Sequence, residues 1–209
     1  RVNAFNQNRG AGAVFRTASD TEVILLGYRR WGADVVNRLR GMFAFGIWDE
    51  AERSLFLARD HLGIKPLYWV ESGAQLVFAS EVRALQAVVD LGGIDPRGLT
   101  DYLLWGSISS PATLFSRAHS LEPGQWMKVR ESMDRKVATY WRLEEAFGAP
   151  RAMDVEEARR RVQSAIRDSV RRHMIADVPV GVFLSAGLDS CLRRAPRVLS
   201  PAEFRKSGP

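Results

Sequence analysis

The hydrophobic positions change period along the chain, and the changes mark its elements. Ser19-Asp20-Thr21-Glu22 has the form of a capping box, with Ser at the N-cap and Glu three residues later, so a helix is predicted from there to about Trp31. A short helix follows over Asp34–Arg40 and ends near Gly41. The period then shortens to two. Met42–Trp48, Ser54–Ala58, Leu67–Val70 and Leu76–Ala79 read as strands, with turns at Asp49–Arg53, Gly63–Pro66 and Ser72-Gly73. These four strands are expected to form an antiparallel meander with one buried face, and Ser80-Glu81 to open another helix. Phe43, Phe45, Trp48 and Phe56 are assigned to the core rather than to a base-stacking surface.

Residues 91–150 are more broken, with a helix near Leu99–Trp105 and strands near Trp126–Arg130 and Val137–Trp141, and are expected to connect two units. Asp154–Met174 carries Ala158, Val162, Ala165, Ile166, Val170 and Met174 on one stripe, the pattern of an amphipathic helix. Its arginines, Arg159-Arg160-Arg161 and Arg171-Arg172, read as a solvated face. Asp177-Val178-Pro179 ends this helix. The apolar run Val180–Leu184 then empties into Ser185-Ala186-Gly187-Leu188-Asp189-Ser190. A buried strand leading to a small, hydroxyl-rich turn offers backbone N–H groups to a phosphate, although the same string also suits an ordinary strand-to-helix turn.

Composition narrows the function classes. At 209 residues and 46% hydrophobic, the chain can bury one large domain, or one domain and part of another. Its lone cysteine, Cys191, rules out an internal disulfide framework and suits a reducing, cytoplasmic setting. No apolar run reaches the length of a membrane span, and Arg1-Val2-Asn3-Ala4 is not a signal peptide. The net charge of +6 suggests a nucleic-acid partner only until it is located. Arg193, Arg194, Arg197, Arg205 and Lys206 against Glu203 give the last nineteen residues +4, which leaves +2 for the remainder. No nucleic acid and no membrane are therefore expected as partners. His61, His119 and His173 do not cluster with Asp or Cys at metal spacings, so zinc is not expected; His61 is read as structural.

Several ordered blocks resemble one family. Thr17-Ala18-Ser19-Asp20-Thr21-Glu22-Val23-Ile24-Leu25 is similar to the glutamine-binding segment of class II glutamine amidotransferases. Leu39–Asp49, Ala58-Arg59-Asp60-His61-Leu62-Gly63-Ile64-Lys65-Pro66-Leu67-Tyr68, and Phe78-Ala79-Ser80-Glu81 resemble further blocks of that domain. Leu121-Glu122-Pro123-Gly124 and Tyr140-Trp141 resemble its linker. Asp177–Gly181 with the Ser-Ala-Gly-Leu-Asp-Ser turn resembles the start of an ATP-pyrophosphatase synthetase domain. Together, from roughly Ala18 to Ser190, they resemble glutamine-hydrolysing asparagine synthetase.

The resemblance implies an α+β protein: a partial N-terminal-nucleophile amidotransferase sandwich flanked by helices, followed by the start of an α/β adenylating domain. The implied boundaries are 1–90 for a partial amidotransferase domain, 91–150 for the rest of that domain and the linker, 151–190 for the start of the synthetase domain, and 191–209 for a tail outside the family. It implies glutamine, aspartate and ATP as substrates, Mg2+ with the ATP, a β-aspartyl-AMP intermediate attacked by ammonia, and allows a homodimer. Asp20 is implied as the carboxylate that binds the glutamine ammonium group; the bland alternative is a first-turn Asp facing the helix dipole. Leu184, Ser185, Ala186, Gly187, Leu188, Asp189 and Ser190 are implied as ATP-binding. Ala186 stands where the family's loop has Gly. The family's nucleophile is an N-terminal cysteine, whereas residue 1 is Arg1. No residue is therefore assigned as catalytic, and the expectation is an inactive chain truncated or frame-shifted at both ends. An amidotransferase acting on another carboxylate, in secondary or polysaccharide metabolism, and a non-catalytic interaction remnant are the alternatives.

Overall fold

The computed structural model describes residues 20–148 and 153–173, and the ATP-binding turn expected at 184–190 lies outside them. The chain divides into two compact units, Arg1–Gly148 and Ala149–Pro209.

In the first unit, helix α1 (Asp20–Trp31) is followed by a 3-10 helix over Gly32–Arg38. Strands β1 (Ala44–Asp49), β2 (Ser54–Arg59), β3 (Tyr68–Ser72) and β4 (Gln75–Ala79) come next, then the short helix α2 (Val82–Gln86) and α3 (Pro96–Trp105). Strands β5 (Ala118–Ser120), β6 (Gln125–Arg130) and β7 (Arg135–Thr139) and the one-turn helix α4 (Leu143–Ala146) complete the unit. Asp95 caps α3, accepting the Arg97 N–H at 2.8 Å, with Pro96 in the first turn and Gly106 in the left-handed conformation at the end.

The strands expected to form one meander are split between two sheets. One has the order β1-β2-β6-β7 and the other β4-β3-β5, each antiparallel throughout. The segment expected to be connecting thus supplies a strand to one sheet and two to the other. The reason lies in β2, which is buried on both faces. Phe56 and Ala58 point one way and pack with Ile24, Tyr28, Val35 and Val36 of the helices. Leu57, between them, points the other way and packs with Leu67, Leu121 and Met127. A strand apolar on both faces needs a layer on each side, which a single meander cannot provide. The second sheet supplies that layer, and its own far face packs Val70 and Ala118 against Leu85 of α2. The result is a helix–sheet–sheet–helix stack with an antiparallel sandwich at its centre. Each fully buried side chain such as Phe56, Leu57 or Met127 contributes on the order of 1.5–3 kcal/mol of transfer free energy.

Trp48 departs from its core assignment. It is 47% exposed: β1 is an edge strand, and position 48, although on the same face as the buried Ala44, lies next to the end of the strand. Its indole N–H donates to Glu50 at 2.6 Å, and the Arg53 guanidinium lies 5.7 Å from its ring centre. Phe43, Phe45 and Phe56 are buried as expected.

The turn after β2 ties the layers together. The Asp60 carboxylate accepts N–H groups from Leu62 (3.2 Å), Ile64 (3.0 Å) and Lys65 (2.9 Å). Arg59 donates to the Lys65 and Gly63 carbonyls at 2.9 and 2.7 Å, to Ser120 Oγ of β5 at 2.8 Å, and to the Leu121 carbonyl. The Gly124 N–H reaches the Asp60 carbonyl at 2.9 Å, and the Gly124 carbonyl accepts the Tyr140 N–H at 2.8 Å.

In the second unit the described residues form α5 (Val155–His173). Asp154 accepts the Glu156 N–H at 2.9 Å at its start, and Arg161 pairs with Glu157 one turn before it. Arg159 and Arg161 are exposed, as a solvated face requires. No helix among the described residues is long and apolar enough to cross a membrane.

Gly124 is a position where this fold does not tolerate a side chain. Its φ is 64°, and an added Cβ would lie 2.3 Å from the Trp141 carbonyl oxygen. Gly124→Ala is expected to cost about 2 kcal/mol or more, from left-handed strain and displacement of the β7 end. Urea denaturation of the two proteins measures this, and equal midpoints would contradict it.

Candidate functional site

The first turn of α1 opens on a cleft of about 310 Å³, lined by Asp20, Val23, Ile24, Arg38, Leu39, Arg40, Met42 and Phe43. Two pieces of backbone build it. Helix α1 buries Ile24 and Tyr28 against the first sheet, which puts Asp20 and Val23 at the exposed rim. The 3-10 helix anchors Val35 and Val36 in the same core, then gives way to extended backbone at Leu39, with φ −79° and ψ 142°. That change of geometry brings Arg38 and Arg40 to the same cleft. Phe43 and Ile24, both buried, contribute apolar surface to the lining.

The charges at the cleft are mixed. Asp20 is an exposed carboxylate in the first turn of a helix, where the aligned peptide dipoles favour a negative charge. The Arg38 guanidinium carbon lies 4.5 Å from the centre of the Trp31 ring, and Arg30 lies 5.6 Å from the same ring. One carboxylate and two guanidinium groups over an apolar lining can receive a small zwitterion: an ammonium at one end and a carboxylate at the other.

Asp20, singled out in the sequence, thus lines a cleft together with two arginines that sequence reasoning did not select. Arg40 lay inside a quoted block and Arg38 just before it; a pair of like charges two residues apart at a helix end was the available signal. The expected ATP-binding residues Leu184–Ser190 fall outside the described residues. Among the described residues, no group of three or more His, Cys, Asp or Glu side chains could hold a metal ion.

Behind Phe43 the packing continues into His61. The imidazole meets Phe43, Tyr140 and Trp141 edge to face, with ring centres 6.2, 5.2 and 5.5 Å away. Burial lowers the His61 pKa below its ordinary 6.5, and the nearby Asp60 charge opposes this less strongly. His61 therefore sits neutral among aromatic rings. Tyr140, whose hydroxyl donates to the Arg59 carbonyl at 2.7 Å, is pushed upward by burial and by Asp60, and stays protonated.

Comparison with known proteins gives the following. A family profile described as a glutamine amidotransferase domain matches residues 4–141, and one described as asparagine synthase matches residues 161–192. A putative glutamine-hydrolysing asparagine synthetase of Mycobacterium tuberculosis is 40% identical over 200 residues, covering 90% of this chain and 31% of its own. Asparagine synthetase 1 of Bacillus subtilis is 40% identical over 179 residues, covering 86% and 28%. The amidase chry2 of Gibberella zeae is 34% identical over 179 residues, covering 82% and 25%. Among solved structures, the glutamine phosphoribosylpyrophosphate amidotransferase of B. subtilis covers 62% of this chain and 24% of its own, with a TM-score of 0.39 and 23% identity. The chain spans about a third of the length of the asparagine synthetases it matches.

The buried imidazole has a consequence for stability. The unfolded chain protonates His61 near pH 6.5, and the folded chain does so only at lower pH. Stability contributed by this group is therefore present above about pH 6.5 and lost as pH falls from there through the folded value. Thermal melts at about pH 7.5 and 5.5 should show a drop in Tm that is smaller in His61→Phe, which keeps the aromatic packing. An equal drop in both proteins would contradict this.

Proposed function

Since the chain belongs to the glutamine amidotransferase domain family, on a match covering residues 4–141, we propose that it binds glutamine as the nitrogen donor for an ATP-dependent amidation, with aspartate as the acceptor. The observation that carries this reading is the Asp20 cleft: a carboxylate and two arginines line one pocket, at the start of a helix whose apolar side packs into the sandwich. In this reading the Asp20 carboxylate pairs with the glutamine ammonium group. Hydrolysis of the side-chain amide yields glutamate and ammonia, and the ammonia attacks the activated acceptor carboxyl, releasing AMP.

The second half of the reaction rests on sequence. The asparagine synthase match over residues 161–192 includes Leu184, Ser185, Ala186, Gly187, Leu188, Asp189 and Ser190, which we assign to ATP, with Ser185, Gly187, Asp189 and Ser190 at its phosphates and the Leu184 backbone at its adenosine part. Mg2+ would accompany ATP and neutralise its phosphate charge. The acceptor is taken from the names of the asparagine synthetase relatives. A cytoplasmic setting and a homodimer belong to the same proposal.

The donor reading is tested by titrating L-glutamine against the chain, with saturation-transfer NMR as the readout. Asp20→Asn, which keeps the shape and removes the charge, should weaken binding about 10-fold, the worth of one charge-assisted hydrogen bond. Equal binding by both proteins would remove Asp20 from the site.

A further inference from the structure

We propose that a second cavity of the first unit binds a primary alkylammonium ion, held by the Glu122 carboxylate against an aromatic wall. The proposal is independent of the glutamine reading, and the cavity shares no lining residue with the Asp20 cleft. Its volume is about 370 Å³, within the range of small-ligand sites. The turn after β2, the entry to β6, and the end of β7 running into α4 build it together.

The wall is apolar and the polar atoms inside it are acceptors. His61 and Trp141 both line the cavity, with their rings edge to face and 5.5 Å between centres. Burial keeps the His61 imidazole neutral, so the wall brings no positive charge of its own. Leu62, Pro123 and Leu143 add aliphatic surface. Glu122 is half-buried, and its Oε2 accepts the Gln125 side-chain N–H at 2.5 Å, which holds the carboxylate in place. Its other oxygen has no hydrogen-bond partner among the described residues, and the group has no basic partner there. Gln125 spends its second N–H on Thr139 Oγ1 at 3.3 Å, which leaves its carbonyl oxygen as a further acceptor. The two remaining charges of the lining, Arg142 and Glu144, are exposed and opposite in sign, so Glu122 sets the charge of the interior.

The ligand chemistry follows from this pairing. An ammonium head brings three N–H donors to an interior that offers acceptors, and its charge is attracted by both the carboxylate and the indole ring. A stem of about four carbons lies along the aliphatic surface, as the side chain of a lysine does. An anion meets Glu122 and is repelled, and a neutral alcohol forgoes the charge-assisted bond.

The test is an NMR titration of the whole chain with n-butylammonium, 1-butanol and butyrate, read at the His61 ring and Trp141 indole signals. n-Butylammonium is expected to shift both and to bind at least about 10-fold more tightly than the other two. Glu122→Gln keeps the shape and the bond from Gln125, and should weaken n-butylammonium by about 10-fold with an unchanged melt. Glu145→Gln removes an exposed charge nearby that does not line the cavity, and should change the affinity by less than about 2-fold. Nα-acetyl-lysine N-methylamide separates the sources of the same group. Tighter binding than n-butylammonium assigns the site to a protein lysine, equal or weaker binding to a free amine, and both support it. Absence of shifts at either ring, equal binding of 1-butanol or butyrate, or equal losses in Glu122→Gln and Glu145→Gln would each overturn the assignment. The three probes on the unaltered chain decide the matter even if Glu122→Gln does not fold.

Discussion

The Asp60 carboxylate is 1% exposed and holds three backbone N–H groups of a turn that has no regular structure of its own. Arg59, next to it, spends its guanidinium on carbonyls and a hydroxyl instead of on a carboxylate. Burial lowers the Arg59 pKa, partly opposed by Tyr68 and Asp60, but a guanidinium starts so high that it stays charged. Two adjacent residues of opposite charge therefore replace water for one another and for the turn. Arg59 ends β2 in the first sheet, while Ser120 lies in β5 of the second, and the Leu121 N–H reaches the Leu67 carbonyl at 2.9 Å. The turn is the place where the two sheets are fastened at one end of the sandwich.

The candidate site depends on this fastening. The Asp60 N–H donates to the Phe43 carbonyl at 2.8 Å, which fixes the backbone entering β1. Phe43 lines the cleft on one side and meets His61 on the other. A disturbance at Asp60 would thus reach the cleft through one residue. Arg38 is held separately, by Trp31 and by the Val35–Val36 anchor, so the cleft draws on both the helix layer and the turn.

Much of this was legible in the sequence because it is local. The boundaries of α1, β2 and β4 follow from caps, turns and period, while α3 starts at Pro96, ahead of the expected Leu99; the Ala58–Tyr68 string was similar enough to a known family to imply the sandwich. Which strand goes to which sheet was not legible. Leu55, Phe56, Leu57 and Ala58 form a continuous apolar run, and such a run says that both faces are covered without saying by what. β6, about seventy residues later, pairs with β2 across that distance, so no local signal could place it. Trp48 was misassigned for a related reason: whether an aromatic residue faces the core depends on which strand ends at the sheet edge. Arg38 and Arg40 were not singled out because a sequence does not say which of its arginines will line a cleft.

Native-state hydrogen exchange at the Leu62, Ile64 and Lys65 amides tests the central role of the turn most directly. These amides belong to no helix or strand, and Leu62 and Ile64 have exposed side chains, so their amides would ordinarily exchange by local opening. If the Asp60 carboxylate is the fastening of the sandwich, all three exchange only with global unfolding, at the same free energy as the amides of β2. Exchange at the fast rate of the neighbouring surface loops would show that the turn opens freely while the sheets stay together, and would contradict the account.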